Sequence, residues 1–459
     1  MRSTLDGIAT RRLNACNRFL RAAVALACLS VVKIAVADAN TTGSVAEPTD
    51  VPEYGFIEQR IYRGESGEAQ EQLEGIIEQL ESAHHRYHED LVVPLALLGD
   101  ALMVQQEYDA ALDKYDLARH LARVNYGLFD ARQIPIVYRE ADAFKKIGDL
   151  ASSGQREEYA FEILRKLHGA SDSRMLQPTY RLARFYLDTY NILAARVLYE
   201  RAVAIHEENG NGMTTEAIHA LSGIALSHKL ERFPPFYVSN PDNNTFEGPR
   251  ASLRSDDIQS QQVSFNNFPA GERALQKIVQ IRQAQEPEDK PATLAAMLEL
   301  ADWHLMFGRK RDAATLYTHI FEEMAQAGED ADAFFADPAL LYFPRPENPK
   351  PPAATQRDSK QTGRVKLQFD ITPSGRIRRL ETLESQPPKL MDFRVRRSMR
   401  SALYRPRLIA GTPVEVEAQT YTHEFTYFPR KEPPAEDGSE LETDPASDAG
   451  EAPVTEPNS

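Results

Sequence analysis

A chain of 459 residues can hold two or three domains, and 42% apolar with 26% charged residues is ordinary for a soluble protein with its own hydrophobic cores. The formal net charge of −15 argues against nucleic acid as a partner, because phosphate contacts draw on clustered Lys and Arg. The only cysteines are Cys16 and Cys28, both near the start, so neither a disulfide framework nor a thiolate metal site is expected beyond them.

Arg11, Arg12, Arg18 and Arg21 precede an apolar run from Ala22 to Val32, and Ala37-Asp38-Ala39 offers a small-x-small cleavage site. Residues 1–39 therefore read as an export signal. Cleavage would leave a cysteine-free chain of formal charge about −19, which suits an oxidising periplasm as well as any other compartment. The alternative is an anchor retained over residues 22–39 in the inner membrane, facing the periplasm. A membrane helix needs roughly 20 apolar residues, and the run between Arg21 and Lys33 is about half that. Residues 40–56 are polar and contain proline, a flexible lead-in.

From residue 57 to 334 helical signals follow one another. Leu98-Gly99, Leu102, Ala111, Tyr115 and Ala118 set small residues where two antiparallel helices touch and large ones in the gaps. Ile147-Gly148, Ala151, Ala160 and Leu164 read as a second unit. Leu182-Ala183, Tyr186, Ala195, Tyr199 and Ala202 read as a third, offset from the second by 35 residues, and Leu300-Ala301, His304, Gly308, Ala313, Tyr317 and Ile320 as another. The pattern resembles tetratricopeptide repeats, an α-helical repeat or α-solenoid, with an unrelated helical bundle as the alternative. The resemblance implies a concave groove for an extended peptide, at positions that include Lys145, Asp149, Tyr180, Arg184 and Asp188. Residues 232–272, rich in Pro, Asn and Ser, interrupt the array as a long loop. Phe233, Phe236 and Tyr237 are expected to pin it to the helices.

Candidate chemistry is sparse. His84 and His88 would share a helix face and invite zinc, but no H-E-x-x-H accompanies them, and no metal is expected. The sequence holds no Gly-rich phosphate loop ending in Gly-Lys-Ser/Thr and no G-x-S-x-G elbow. No catalytic residue and no cofactor are expected, and an enzyme hidden in the helical domain is the remote alternative. Trp303 reads as core, and His423-Glu424 as a surface pair on a strand.

Residues 335–362, with Pro338 and a run of further prolines, read as a semi-rigid linker. From Gly363 the pattern changes. Val365, Leu367, Phe369 and Ile371 alternate with polar residues, Pro373-Ser374-Gly375 turns the chain, and Ile377 and Leu380 continue a second strand. Met391, Val395, Met399, Ala402 and Leu403 recur at helical spacing. Pro406 stops the helix, Gly411-Thr412-Pro413 turns again, and residues 414–427 form a long last strand. Its inward parity changes between Ala418 and Tyr421, which predicts a bulge.

This ββαβ unit, residues 363–429, resembles the C-terminal domain of the TonB family in its opening Gly363, the Gly375 turn, Tyr404-Arg405-Pro406 and Gly411-Thr412-Pro413-Val414. Ala402 stands where that family often has Trp. The resemblance implies a small α+β domain that captures a segment of an outer-membrane receptor by adding a strand to its sheet edge. The expected edge comprises Val414, Glu415, Val416, Ala418 and Tyr421, with Arg405 and Arg407 beside Pro406 facing acidic residues of the partner. The unit is basic, with twelve Lys/Arg against seven Asp/Glu. Residues 430–459 carry nine acidic residues and read as a disordered acidic tail. The functional expectation is a non-enzymatic periplasmic binding protein tied to envelope transport. The alternative is an anchored energy transducer for receptor-dependent uptake.

Overall fold

The computed structural model describes residues 54–235, 267–353 and 359–429, which fall in one compact unit. The export signal or anchor, the lead-in up to residue 53, the loop aromatics Phe236 and Tyr237, and the acidic tail lie outside the described residues.

Twelve helices up to Gln326 make successive helical hairpins. They are α1 (Tyr54–Tyr62) with α2 (Ser66–Ala83), α3 (Val92–Val104) with α4 (Tyr108–Tyr126), and α5 (Ile134–Ile147) with α6 (Leu150–His168). There follow α7 (Leu176–Asp188) with α8 (Ile192–Glu208), α9 (Ile218–Arg232) with α10 (Phe268–Gln283), and α11 (Lys290–Met306) with α12 (Lys310–Gln326). Connections are short except between α9 and α10, where residues 233–267 intervene, and each pair leaves an apolar face for the next.

The repeat is 42 residues long: α3, α5, α7 and α9 begin at residues 92, 134, 176 and 218. The second unit therefore lies elsewhere than the sequence pattern placed it. Gly148 does not lie between helices. It ends α5 with φ +85, and a Cβ there would meet nothing within 4 Å. The contact position is instead Ala141, in register with Gly99, Ala183 and Ala225. A 3-10 turn before each first helix, at Glu89–Leu91, Ala131–Gln133, Ser173–Met175 and Thr215–Ala217, belongs to this longer period.

Close approach within and between the pairs depends on missing side chains. A Cβ on Gly99 would stand 2.3 Å from the Tyr115 ring, and one on Gly271 would stand 2.1 Å from Trp303. Trp303 is 3% exposed, and its indole N–H donates to the Phe268 carbonyl at 3.2 Å. It is core, as the pattern predicted.

Past the short α13 (Ala331–Phe334), the chain does not become a spacer. Strand β1 (Ala339–Tyr342) pairs antiparallel with β4 (Leu403–Arg405). Tyr342 Oη donates to the Pro234 carbonyl at 3.0 Å, and the Arg345 N–H donates to Pro235 at 2.7 Å. Phe233 packs edge-on against Phe307 and Tyr342. Proline content hid this segment because its strand is only four residues long and takes its register from a partner more than sixty positions away.

The C-terminal module has a three-stranded antiparallel sheet ordered β3 (Ile377–Gln386), β2 (Gln361–Ile371), β7 (Val416–Tyr427). Helix α14 (Asp392–Arg400) covers one face, and Val365, Leu367, Phe369, Ile371, Met391, Val395, Met399 and Phe425 close the core. The Phe425 ring fills the space beside Gly363, 2.4 Å from where a Cβ would stand. The strand does bulge, but at the start of the predicted stretch, between Val416 and Gln419. Ile371 pairs with Val416 but Phe369 with Gln419, and pairing is regular from there through Tyr421. Ala418 takes φ +55, with its N–H donating to Asp370 at 2.9 Å. A second hairpin, β5 (Arg407–Ile409) with β6 (Thr412–Val414), precedes the long strand.

Candidate partner-binding edge and its mounting

The module is fastened to the end of the helical array by a contact the array uses on itself. In the first full repeat, Asp100 accepts hydrogen bonds from Tyr115 Oη at 2.8 Å and from Arg139 Nε of the next repeat at 2.8 Å. In the last pair, Asp302 accepts from Tyr317 Oη at 2.7 Å, and Arg405 of the module supplies the guanidinium, at 2.9 and 2.6 Å. Arg405 thus occupies the place that a following repeat's arginine would fill. Terminal repeats need a cap, and this one is capped by the C-terminal module. The fork geometry matches the two carboxylate oxygens. Burial opposes the charge on Arg405, but the hydrogen bonds and charge of Asp302 more than offset it and raise its pKa. Burial, with Asp302 beside it, also pushes the Tyr317 hydroxyl far up.

This corrects the assignment of residues 405–415 to the partner edge. Arg405 is turned inward to Asp302, and Pro406 is buried. Arg407 and Val414 pair with each other across β5 and β6. That hairpin lies on the scaffold: Leu408 joins the cluster of Tyr317 and Phe335, its N–H donates to the Phe335 carbonyl, and Thr318 Oγ1 donates to the Gly411 carbonyl at 2.8 Å. Glu415 accepts from Arg378 and Arg379 of the sheet. The physical reason is distance in sequence: Asp302 is 103 residues from Arg405, so nothing local marked its partner.

The edge itself is β7, which carries Val416, Ala418 and Tyr421. One side pairs with β2, and among the described residues no strand pairs with the other. Tyr421, His423, Phe425 and Tyr427 stack their rings along the inner face at 6.5, 6.4 and 5.9 Å. His423 is therefore not a surface residue. It is 8% exposed, and burial, then the nearby Arg345 charge, lower its pKa.

The groove residues expected from the repeat do not form one binding set. Lys145 and Asp188 neutralise each other at 2.9 Å. Asp149 caps α6, accepting from the Ser152 N–H at 3.0 Å. Asp149→Ala should lower stability by about 1 kcal/mol in urea denaturation, the usual worth of such a cap. Tyr180 stacks on His219 at 4.2 Å and bonds His206 at 2.9 Å, and burial pushes its hydroxyl up to about 12. Arg184 bears on the same aromatic group: burial raises the pKa of Tyr199 against the opposing Arg184 charge, and burial, then the Arg184 charge, lower that of His219. The larger cleft, about 570 Å3, lies nearer the N-terminus, lined by Tyr62, Val104, Asp100, Arg139 and Asp142. A signal for it stood in the sequence: Asp100 and Asp142, like Arg139 and Arg181, are one 42-residue repeat apart.

His84, His88 and Asp90 bring one ligand atom each within 4.8 Å of the others. The two imidazoles do not share a helix face, because α2 ends at Ala83. Their rings stack at 4.1 Å and 12°, so their lone pairs run side by side instead of converging on one point.

The geometry defines a class: a helical-repeat scaffold capped by a small module whose three-stranded sheet ends in two edge strands, β3 and β7. Residues 349–426 match the family model of the Gram-negative bacterial TonB protein C-terminal. The array is similar to the nearly identical TPR-like repeats of a Podosopora anserina kinesin light chain, at 16% identity over 39% of this chain and 84% of that one, TM-score 0.35. It is similar also to BtubC (BKLC) from P. vanneervenii, at 12% identity over 64% and 96%, TM-score 0.35. A third similar structure is aspartyl phosphate phosphatase F from Bacillus subtilis, at 13% identity over 64% and 79%, TM-score 0.33. At these values the likeness concerns the helical fold alone. No curated protein matches. The chain thus carries a TonB-type C-terminal domain on an array of helical hairpin repeats. Among the described residues, no helix is long and apolar enough to cross a membrane.

Proposed function

We propose that this is a non-enzymatic binding protein of the cell envelope, held in the periplasm, which captures an extended segment of a partner protein, such as an outer-membrane receptor, by strand addition to β7. The observation that carries this reading is the outer side of β7, twelve residues long and paired with no strand among the described residues, in a domain matched to the TonB C-terminal family. Unpaired N–H and C=O groups in such a row are satisfied by an incoming strand. The repeat groove offers a second protein-binding surface. The mounting of the module on α11 and α12 favours a fixed docking platform over the alternative of an anchored, force-transmitting transducer, whose module would have to move away from its anchor. The carboxylate of Asp100 in the cleft of about 570 Å3 is committed to an arginine and a tyrosine, which supports a binding role over catalysis.

Site-specific photo-cross-linking of the full chain in outer-membrane extract tests this. A benzophenone amino acid replacing Thr422, exposed on β7, should yield adducts in which one short extended segment of a partner is modified. The same probe replacing Glu381, on the opposite edge strand β3, should yield none. Adducts from Glu381 with none from Thr422 would defeat the assignment of the edge.

A further inference from the structure

The outer side of β7 is bordered by a pocket that the family-like domain does not itself provide. Helix α14 covers β3 and β2, while the inner face of β7 is covered by residues 340–345 of the segment before the domain. Phe343 packs on Tyr421 with ring centroids 5.1 Å apart and lies 6.4 Å from His423. Between that segment and the strand lies a cleft of about 290 Å3, lined by Leu340, Phe343, Arg345, Tyr421 and His423. Leu340 is 46% exposed, and Arg345 is exposed as well.

Two polar groups of this cleft lack partners. His423 Nε2 is buried without a hydrogen bond. Arg345 engages no carboxylate among the described residues, although its charge is felt by both Tyr421 and His423. Elsewhere in the module the arginines of the sheet are engaged: Arg364 with Glu384, Arg378 with Glu415, and Arg379 with Asp370 and Glu417. A strand laid against β7 sends alternate side chains to this same face, and those opposite Tyr421 and His423 stand within about 5 Å of them. Such a side chain enters the cleft beside an unpaired guanidinium.

We infer that this cleft selects the captured segment, taking a Glu or Asp side chain against Arg345 and an apolar side chain two residues away on Leu340 and Phe343. The inference rests on the strand-addition reading above and gives the partner its chemistry: an extended segment with a carboxylate on its inward face. The rigid mounting matters here, because β1 and Arg345 keep their place beside β7 only while β1 is paired with β4.

The test uses the full chain and three fluorescent decapeptides of alternating Thr and Val, with Glu, Gln or Lys replacing the central Val. Fluorescence anisotropy should show the Glu peptide binding about tenfold more tightly than the Gln peptide, with Lys weakest, as for one charge-assisted contact. Arg345→Gln should abolish the preference, bringing the Glu peptide's affinity down to that of the Gln peptide. Its folding is safe, because the backbone N–H of residue 345 still reaches Pro235. Equal binding of the Glu and Gln peptides by the unaltered chain would overturn the selecting cleft and leave strand addition standing. If no peptide binds and hydrogen exchange along β7 is unchanged, strand addition fails and the cleft with it. Sedimentation showing β7 already paired with a second copy of the chain would also overturn the inference.

Discussion

Arg405→Ala should detach the C-terminal module from the helical array at a cost of about 3 kcal/mol, because it strands the Asp302 carboxylate in a place built for a bidentate partner. Both side chains are largely covered, at 18% and 15% exposure, so solvent replaces the lost contact poorly. The expected signature is local. Amide exchange should rise across β1, β4, β5 and β6, which join the two parts, while α3 to α8 keep their protection. A double-mutant cycle separates the ion pair from the loss of packing. Arg405→Ala and Asp302→Ala together should cost less than the sum of the two singles by roughly 2 kcal/mol, the coupling of a close charged pair. Additivity within about 0.5 kcal/mol would show that Leu408 and the β5 hairpin hold the module and that the ion pair is incidental. Arg405→Lys should recover only part of the loss, since an ammonium cannot address both carboxylate oxygens at once.

The comparison with Asp100, Tyr115 and Arg139 explains why this pair exists. The first two full repeats each leave a carboxylate facing an arginine of the next one, Asp100 toward Arg139 and Asp142 toward Arg181. At the last pair the following repeat is absent, and the module supplies the missing arginine. The TonB-type module is therefore also the stabilising end of the solenoid, and its edge strand is held at a fixed place relative to the groove. Removing residues 363–429 should then lower the stability of α11 and α12 themselves.

What the sequence revealed follows from how local each cause was. Val365 to Ile371 alternate strictly, so β2 and its inward face were legible, as was the bulge, because two parities in one strand cannot coexist without an extra residue. Val395 and Met399 lie four apart and marked the helix. The repeats were visible in Gly99 with Tyr115 and Ala301 with Tyr317, pairs set by contact inside one hairpin. Their period was not, because Gly148, a helix-ending glycine with left-handed φ, resembles a small contact residue when no neighbouring chain is in view. The mounting was illegible for the same reason at larger scale. Nothing around Tyr404-Arg405-Pro406 distinguishes an arginine aimed at a partner from one aimed at Asp302. Residues 339–342 became a strand only because Tyr404 and Arg405 lay beside them.

Gly375→Ala should be the most damaging single-methyl change in the module, costing about 3 to 5 kcal/mol as the sum of overpacking, a left-handed backbone and a displaced hydrogen bond. The residue has φ +72, and its added Cβ would stand 1.9 Å from the Tyr404 carbonyl oxygen. That neighbour is backbone and cannot swing aside. Tyr404 also donates its N–H to the Gly375 carbonyl at 2.9 Å, so relief of the clash pulls β4 away from the β2–β3 turn. Strand β4 carries Arg405 and pairs with β1, so the damage should reach the mounting as well as the turn. Gly148→Ala provides the control, since that glycine also has a left-handed φ but open space around it. It should cost only about 1 kcal/mol, the conformational part alone. The difference between the two variants in guanidinium unfolding isolates the close approach of β4. Equal losses would mean that β4 yields freely and that the β2–β3 turn contributes nothing to holding the edge strand beside its cleft.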